Sequence, residues 1–103
     1  MSNPLLRGLR PVHPAEILRE DVLPALGRPK AEIARLLGIS RQTLYDLLAE
    51  KQPITVPMAF RIAKLIGDTP DIWLRMQLAY DMKVAEREMA EEIAKIPTLR
   101  EAA

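Results

Sequence analysis

Apolar residues recur at helical spacing in five segments of the chain, and proline, glycine or a hydroxyl residue bounds each segment. Spacings of three and four residues are typical of amphipathic helices. No segment of four or more residues alternates apolar and polar side chains with β-branched enrichment, as a half-buried strand would. The pattern therefore predicts an all-α chain of five helices, without internal repeats or low-complexity segments.

Local signals set the predicted helix boundaries. The first helix opens at Pro14, where a missing N–H costs nothing, and fades at Pro24, so that residues 25–29 form a loop. The fifth helix opens with Thr69 as its cap and continues to about Ile96, one residue before a proline. The intervening signals are Gly38 ending helix two, Ser40 capping helix three, Thr55 capping helix four and Gly67 ending helix four.

Residues 30–48 contain two short helical patterns separated by Gly-Ile-Ser, which matches the helix-turn-helix unit. Such a unit needs a small residue where its helices cross, a glycine or similar residue in the turn, and four apolar residues on its inner faces. Counted from Lys30, the small residue belongs at position 5, which is Ala34, and the glycine at position 9, which is Gly38. The four apolar residues belong at positions 4, 8, 15 and 18, which are Ile33, Leu37, Leu44 and Leu47. All six positions agree. Together they make a specific signal.

The start of helix three carries polar side chains that should face outward if Leu44, Leu47 and Leu48 face the core. In this motif, that end enters the DNA major groove. Arginine pairs there with guanine and glutamine with adenine, while other polar groups and helix N-termini hold phosphates. The predicted DNA-binding residues are Lys30, Ser40, Arg41, Gln42, Thr43, Tyr45, Asp46, Lys51 and Gln52.

An ordinary solvated helix face would carry the same residue types as Arg41, Gln42 and Tyr45. Asp46 fits DNA binding least well. Its carboxylate either accepts a hydrogen bond from a cytosine amino group or is a surface acid that tempers non-specific binding.

Composition narrows the classes of function. The 103 residues are 49% apolar, enough for one small folded domain, and they include one histidine and no cysteine. We therefore predict no metal site and no cofactor. The sequence shows no nucleophile–base pair and no phosphate-cradling loop, so an enzyme is not expected. No apolar run reaches the roughly 20 residues of a membrane span. With no secretory signal, we expect a cytoplasmic protein without a membrane partner.

The fifth helical pattern is long for the domain that precedes it. Residues 70–96 would span about 40 Å at 1.5 Å per residue, and the part beyond Tyr80 is half apolar. A projecting half-apolar helix needs a cover, and a second copy of the chain suits a palindromic DNA site. The other possible covers are a different protein or the N-terminal arm, and the structural alternative is a frayed tail after about Arg87. The predicted dimer-interface residues are Met82, Ala85, Met89 and Ile93.

Charge is unevenly distributed although the net charge is only +1. Residues 1–67 hold ten basic against six acidic side chains, and residues 68–103 hold five against eight. A basic front and an acidic back suggest two surfaces with different partners.

Residues 13–82 resemble the HigA (VapI-like) antitoxins within the Xre group of helix-turn-helix regulators. The resemblance rests on HPAEIL, AEIARLLGISRQTL, PIT and, most specifically, GDTPDIWLRMQLAYD. It implies a lambda-repressor-like domain in a homodimer that represses its own operon on double-stranded operator DNA. It also implies that the protein silences a HigB-type toxin, a ribosome-dependent mRNA endonuclease. Pro29 replaces the usual cap and Tyr45 replaces a frequent asparagine, so base preference can differ.

The resemblance divides the chain into an N-terminal arm (residues 1–12), a DNA-binding domain (13–82) and a C-terminal helix extension and tail (83–103). The alternative is a stand-alone Xre-type regulator with no toxin partner. A small toxin gene beside this one would favour the antitoxin.

His13 is interpreted as a local cap or packed side chain, and Trp73 as part of a core stripe with Met76 and Tyr80.

Overall fold

The computed structural model describes residues 10–100 of the chain. These residues contain six helices and no strand. The predicted all-α class is confirmed, with one more helix than the sequence pattern indicated. Most of the predicted N-terminal arm and residues 101–103 lie outside the described residues. The helices are α1 (residues 14–26), α2 (Lys30–Leu37), α3 (Arg41–Leu48), α4 (Val56–Ile66), α5 (Pro70–Glu88) and α6 (Ala90–Ala94).

Helix α1 continues through Pro24, and the prediction that it fades there was wrong. Its first and last turns are α-helical, but its centre, Leu18–Val22, is a π-helix in which the N–H of Leu23 reaches the carbonyl of Leu18. A proline removes one N–H donor and crowds the preceding turn, and the wider π turn accommodates it. The helix therefore ends at Gly27, which adopts a left-handed φ of 65°.

The helix-turn-helix forms as its local signals predict. Gly38 ends α2 with a left-handed φ of 74°, and the N–H of Ile39 closes the turn on the carbonyl of Ala34 at 3.0 Å. The five apolar positions of the motif are all buried in one core, together with residues of α1, α4 and α5. The pair α2–α3 is thus held as one rigid unit against the rest of the domain.

His13 and Trp73 both belong to the fold, as predicted. The Nδ1 atom of His13 accepts a hydrogen bond from the N–H of Ala15 at 3.0 Å, so His13 caps α1, and its ring meets that of Tyr80 edge-on at 4.8 Å. Trp73 is 2% exposed, and its indole N–H donates to the carboxylate of Asp68. These contacts fasten α5 to the domain at both ends of the packed region.

Helix α5 ends at Glu88, so the prediction of one helix from residue 70 to Ile96 was wrong. Met89 leaves the helical conformation with φ −109° and ψ 8°, and the short α6 follows. Residues 86–100 are exposed, so no packing supports a continuous helix there. Glu88, Glu91 and Glu92 also lie three and four residues apart, where like charges repel in a helix.

The start of α5 differs from a simple cap. Thr69 makes no side-chain cap bond to the backbone. Its hydroxyl bonds the carboxylate of Asp71 instead, and this contact, with a smaller effect of Arg75, lowers the pKa of Asp71. The ionised carboxylate then sits near the positive end of the helix, where it is favourable. Within residues 10–100, no helix combines the length and the apolar character that a bilayer crossing needs.

Candidate nucleic-acid interface

Ser40 fixes the start of α3. Its backbone is extended, with φ −72° and ψ 158°, and its Oγ accepts a hydrogen bond from the N–H of Thr43 at 3.0 Å. The same hydroxyl donates to Oγ1 of Thr43 at 2.8 Å. The Ser40 hydroxyl proton is therefore engaged in building the helix terminus, and any phosphate contact here would accept from the Thr43 hydroxyl or from nearby N–H groups.

The outward face of α3 carries the predicted reading residues. Arg41 and Gln42 are exposed and Tyr45 is 50% exposed, while Leu44 and Leu47 are completely buried. Within residues 10–100, the Arg41 side chain has no ion-pair or hydrogen-bond partner. A cationic side chain presented without a partner at the start of a fixed helix suits a guanine edge or a phosphate.

Gln42 and Asp46 form a pair along α3. The Gln42 amide donates to a carboxylate oxygen of Asp46 at 2.8 Å, and the ammonium of Lys51 lies 4.0 Å from the same oxygen. Because the pair uses one amide N–H of Gln42, the other N–H and the amide oxygen remain for a base edge. Asp46 thus orients Gln42, a role that explains an acid on this face.

Lys30 and Gln52 lie on either side of the reading face and differ in role. Lys30 is exposed at the first turn of α2 and, within residues 10–100, makes no ion pair. The Gln52 amide donates to the carbonyl of Thr43 at 3.2 Å and is half buried. Lys30 is therefore available for a phosphate, whereas Gln52 chiefly ties the segment after α3 back to that helix.

Two arginines from outside the motif cap its two helices, and sequence reasoning missed both. Arg61 on α4 donates to the carbonyl of Leu37, at the end of α2, with an N–O distance of 2.7 Å. Arg19 on α1 donates to the carbonyl of Leu48, at the end of α3, also at 2.7 Å. Cations stabilise the negative ends of helices, so these contacts fix both helices of the motif at their C-termini.

Gln77 fastens the segment that follows α3, and it was also missed. It is 6% exposed; its amide oxygen accepts from the N–H of Ile54 at 2.7 Å, and its amide N–H donates to Asp81 at 2.9 Å. The hydrogen bond to Ile54 joins residues 23 positions apart, so no local pattern could reveal it. It anchors the connection that carries Lys51 and Gln52 to α5.

The predicted dimer-interface residues lie along an exposed strip at the far end of the molecule. Met82, Met89 and Ile93 are 63%, 41% and 50% exposed, and Ala85 is half buried. Met89 stands at the break and Ile93 on α6, so the four do not share one straight helix. Leu78, 59% exposed and four residues before Met82, extends the strip toward the domain.

Comparison with known proteins identifies the family. The family model described as helix-turn-helix matches residues 18–74. The chain is 36% identical over 77 residues to virulence-associated protein I of Dichelobacter nodosus, covering 75% of this chain and 71% of that protein. It is 33% identical over 73 residues to antitoxin HigA-1 of Vibrio cholerae, covering 71% and 69%. The chain belongs to the HigA (VapI-like) family of helix-turn-helix antitoxins.

A solved structure supports this assignment over nearly the whole length of the HigA-family chain. Antitoxin GraA in complex with its operator is 34% identical, with a TM-score of 0.82, over 98% of this chain and 99% of that one. The HigA signature at residues 67–81 lies on the connection after α4 and on α5, where it places Trp73 and Gln77. The resemblance stated from the sequence is therefore confirmed.

Proposed function

We propose that this HigA-family chain binds the operator of its own toxin–antitoxin operon through the start of α3 and represses that operon. The observation that carries the proposal is the exposed Arg41, which has no side-chain partner within residues 10–100. It lies beside the oriented pair of Gln42 and Asp46, on a helix fixed at both ends. Arg41 and Gln42 read base edges. Lys30 and Lys51 hold phosphates on either side.

The proposal is tested by titrating salt against binding to the chain's own upstream promoter and to a scrambled duplex. We expect wild type to prefer its promoter. Arg41→Ala/Gln42→Ala should lose most of that preference, about 2–6 kcal/mol for two bidentate contacts, and keep weak salt-sensitive binding. Arg75→Ala removes an exposed arginine on α5 and is the matched control. It should change neither the preference for the promoter nor the salt-sensitive binding. Equal binding of wild type to both duplexes would contradict the proposal.

We further propose a two-fold dimer in which α5 packs antiparallel against α5 of a second copy. Leu78, Met82, Ala85 and Met89 follow spacings of four, three and four residues, the repeat of an apolar helix–helix seam. An antiparallel seam centred between Met82 and Ala85 pairs each of them with the other and pairs Leu78 with Met89. Two α3 helices related by this symmetry suit a palindromic operator.

The second proposed activity is neutralisation of a HigB-type toxin in the cytoplasm. Its support is the acidic end of the chain, since Glu86, Glu88, Glu91 and Glu92 are all exposed and suit a basic RNA-cleaving partner. Reversing the charges of Glu86, Glu88 and Glu91 should weaken toxin binding and leave operator binding intact. Unchanged toxin affinity in a pull-down titration would count against this surface. A stand-alone regulator remains the alternative if no toxin binds at all.

A further inference from the structure

An apolar trough runs between α2 and α4, away from the predicted reading residues. Two adjoining concavities of about 520 and 300 Å³ share Leu36 and Leu65. Leu36 is 47% exposed and Phe60 59%, so large apolar surfaces face the trough without a cover in the described chain. We call it the α2–α4 trough, and its main residues are Leu26, Leu36, Phe60, Arg61, Lys64 and Leu65.

The C-terminal segment, residues 93–99, also exposes large apolar side chains. Ile93, Ile96 and Leu99 are 50%, 68% and 89% exposed, at spacings of three residues. The segment projects from the domain, since the described structure is 54 Å long but only 30 and 25 Å across. Three large apolar side chains held in water at the tip of the molecule need a cover that the chain's own domain does not supply here.

Charge matches the two surfaces. Helix α4 carries Arg61 and Lys64 and no acidic residue, and Lys64 has no ion-pair partner within residues 10–100. Residues 88–92 carry three glutamates, and the one cation of residues 93–99, Lys95, is set about 160° from Ile93 by α-helical spacing. Glu92 directly precedes Ile93, so it would meet the rim of a groove that accepted Ile93.

The antiparallel direction of the proposed seam brings the two surfaces toward each other. If Leu78 faces Met89 of a second copy, α5 of that copy ends beside Leu78, because Met89 leaves the helical conformation. That chain has run toward the start of the first copy's α5, and its α6 and residues 95–99 begin at this point. Helix α4 ends at Ile66, four residues before α5 begins, so Lys64 and Leu65 of the trough lie near the start of α5 in the chain.

We propose that residues 93–99 of a second copy dock in the α2–α4 trough, so that each protomer covers the other's apolar surface. The inference rests on the proposed antiparallel dimer and adds to it a reciprocal exchange of C-terminal segments. Ile93, Ile96 and Leu99 would fill the trough, and Glu92 would pair with Lys64. Glu91 would remain outward for another partner, because α-helical spacing sets it about 160° from Ile93.

Disulfide capture tests the proposal cleanly because the chain has no cysteine. Phe60→Cys protein is mixed with Ile93→Cys, Ile96→Cys or Leu99→Cys protein and oxidised. All four positions are at least half exposed, so folding should be unaffected. We expect a covalent heterodimer of Phe60→Cys with at least one tail variant. Val12→Cys, exposed on another groove, replaces Phe60→Cys as the matched control and should give none.

A parallel mixture of Met82→Cys and Ala85→Cys reports on the seam itself. If the seam pair forms and no trough pair does, the tail inference is overturned and the dimer stands. If neither forms and light scattering shows a monomer, the dimer and the tail inference both fall. A Phe60→Cys/Ile96→Cys double variant that closes as a monomer, or a trough that captures only added toxin, would also overturn the exchange between copies.

Discussion

At the scale of single residues, Gly38 shows how a local signal and a distant contact meet. Its φ of 74° favours glycine, and a Cβ built there would lie 2.7 Å from a guanidinium nitrogen of Arg61. The same nitrogen donates to the carbonyl of Leu37. Substituting the turn residue therefore disturbs both the turn and the arginine that caps α2.

Gly38→Ala should destabilise the fold more than Gly67→Ala. Gly67 has a similar φ of 79° but nothing within 4 Å of its built Cβ, so it carries only the conformational cost of about 1–2 kcal/mol. Gly38→Ala should add the loss of the Arg61 hydrogen bond, about 1 kcal/mol more. Urea unfolding of both variants measures the difference. In an Arg61→Met background the two alanine variants should cost the same, and a persisting gap would contradict this account.

Sequence reasoning succeeded where the signal is local. Ser40, Gly38 and the apolar spacing of α2 and α3 encode the motif within 19 residues, so its turn and its buried face were predictable. Arg19 and Arg61 contact carbonyls 29 and 24 residues away, and no neighbouring residue marks them. The exposure of the candidate site's residues was thus predictable, but the side chains that hold the helices in place were not.

At the scale of elements, α1 and α5 show the limit of periodicity. The apolar pattern of α5 continues past Met89 with helical spacing, and no proline or glycine marks the break. The break follows from missing packing and repelling glutamates, which depend on the folded surroundings. In α1, Pro24 does disturb the helical hydrogen bonding, as its sequence signal predicts. The helix accommodates the proline with a π turn and does not end there.

Gln77 joins two elements, and its loss should loosen the segment after α3 more than the core. Gln77→Met keeps the length of the side chain but leaves the N–H of Ile54 buried without its acceptor, which costs about 1–3 kcal/mol. We expect faster hydrogen exchange at the Ile54 amide and weaker operator binding through Lys51. Asp81→Ala is the control, since it removes the outer partner of Gln77 and keeps the bond to Ile54. Unchanged Ile54 exchange in Gln77→Met would show that another group holds the segment.

At the scale of the whole molecule, the chain has a packed domain and a projecting end. The packed domain holds α3, while α5 projects and gives the described structure a radius of gyration of 17.0 Å. A compact domain of 100 residues has about 13 Å. The larger radius of gyration comes from the projecting end of the molecule. The surface there is apolar and acidic, and a single protomer leaves it exposed to water.

Met82→Glu should therefore act on operator binding without changing the residues that we propose to read DNA. Met82 is 63% exposed in one protomer but central in the proposed seam, where an unpaired carboxylate beside Ala85 of the second copy would lose its water. We expect the dimer to weaken by about a hundredfold or more, a cost of at least roughly 3 kcal/mol. Light scattering at micromolar concentration measures the dissociation, and operator binding should fall with it. Ile72→Glu offers the same change at a 47% exposed apolar position, about 100° around α5 from the seam, and should leave both dimer and binding intact. A Met82→Glu protein that stays dimeric would place the two-fold contact elsewhere, and the pairing of two α3 helices would need another surface.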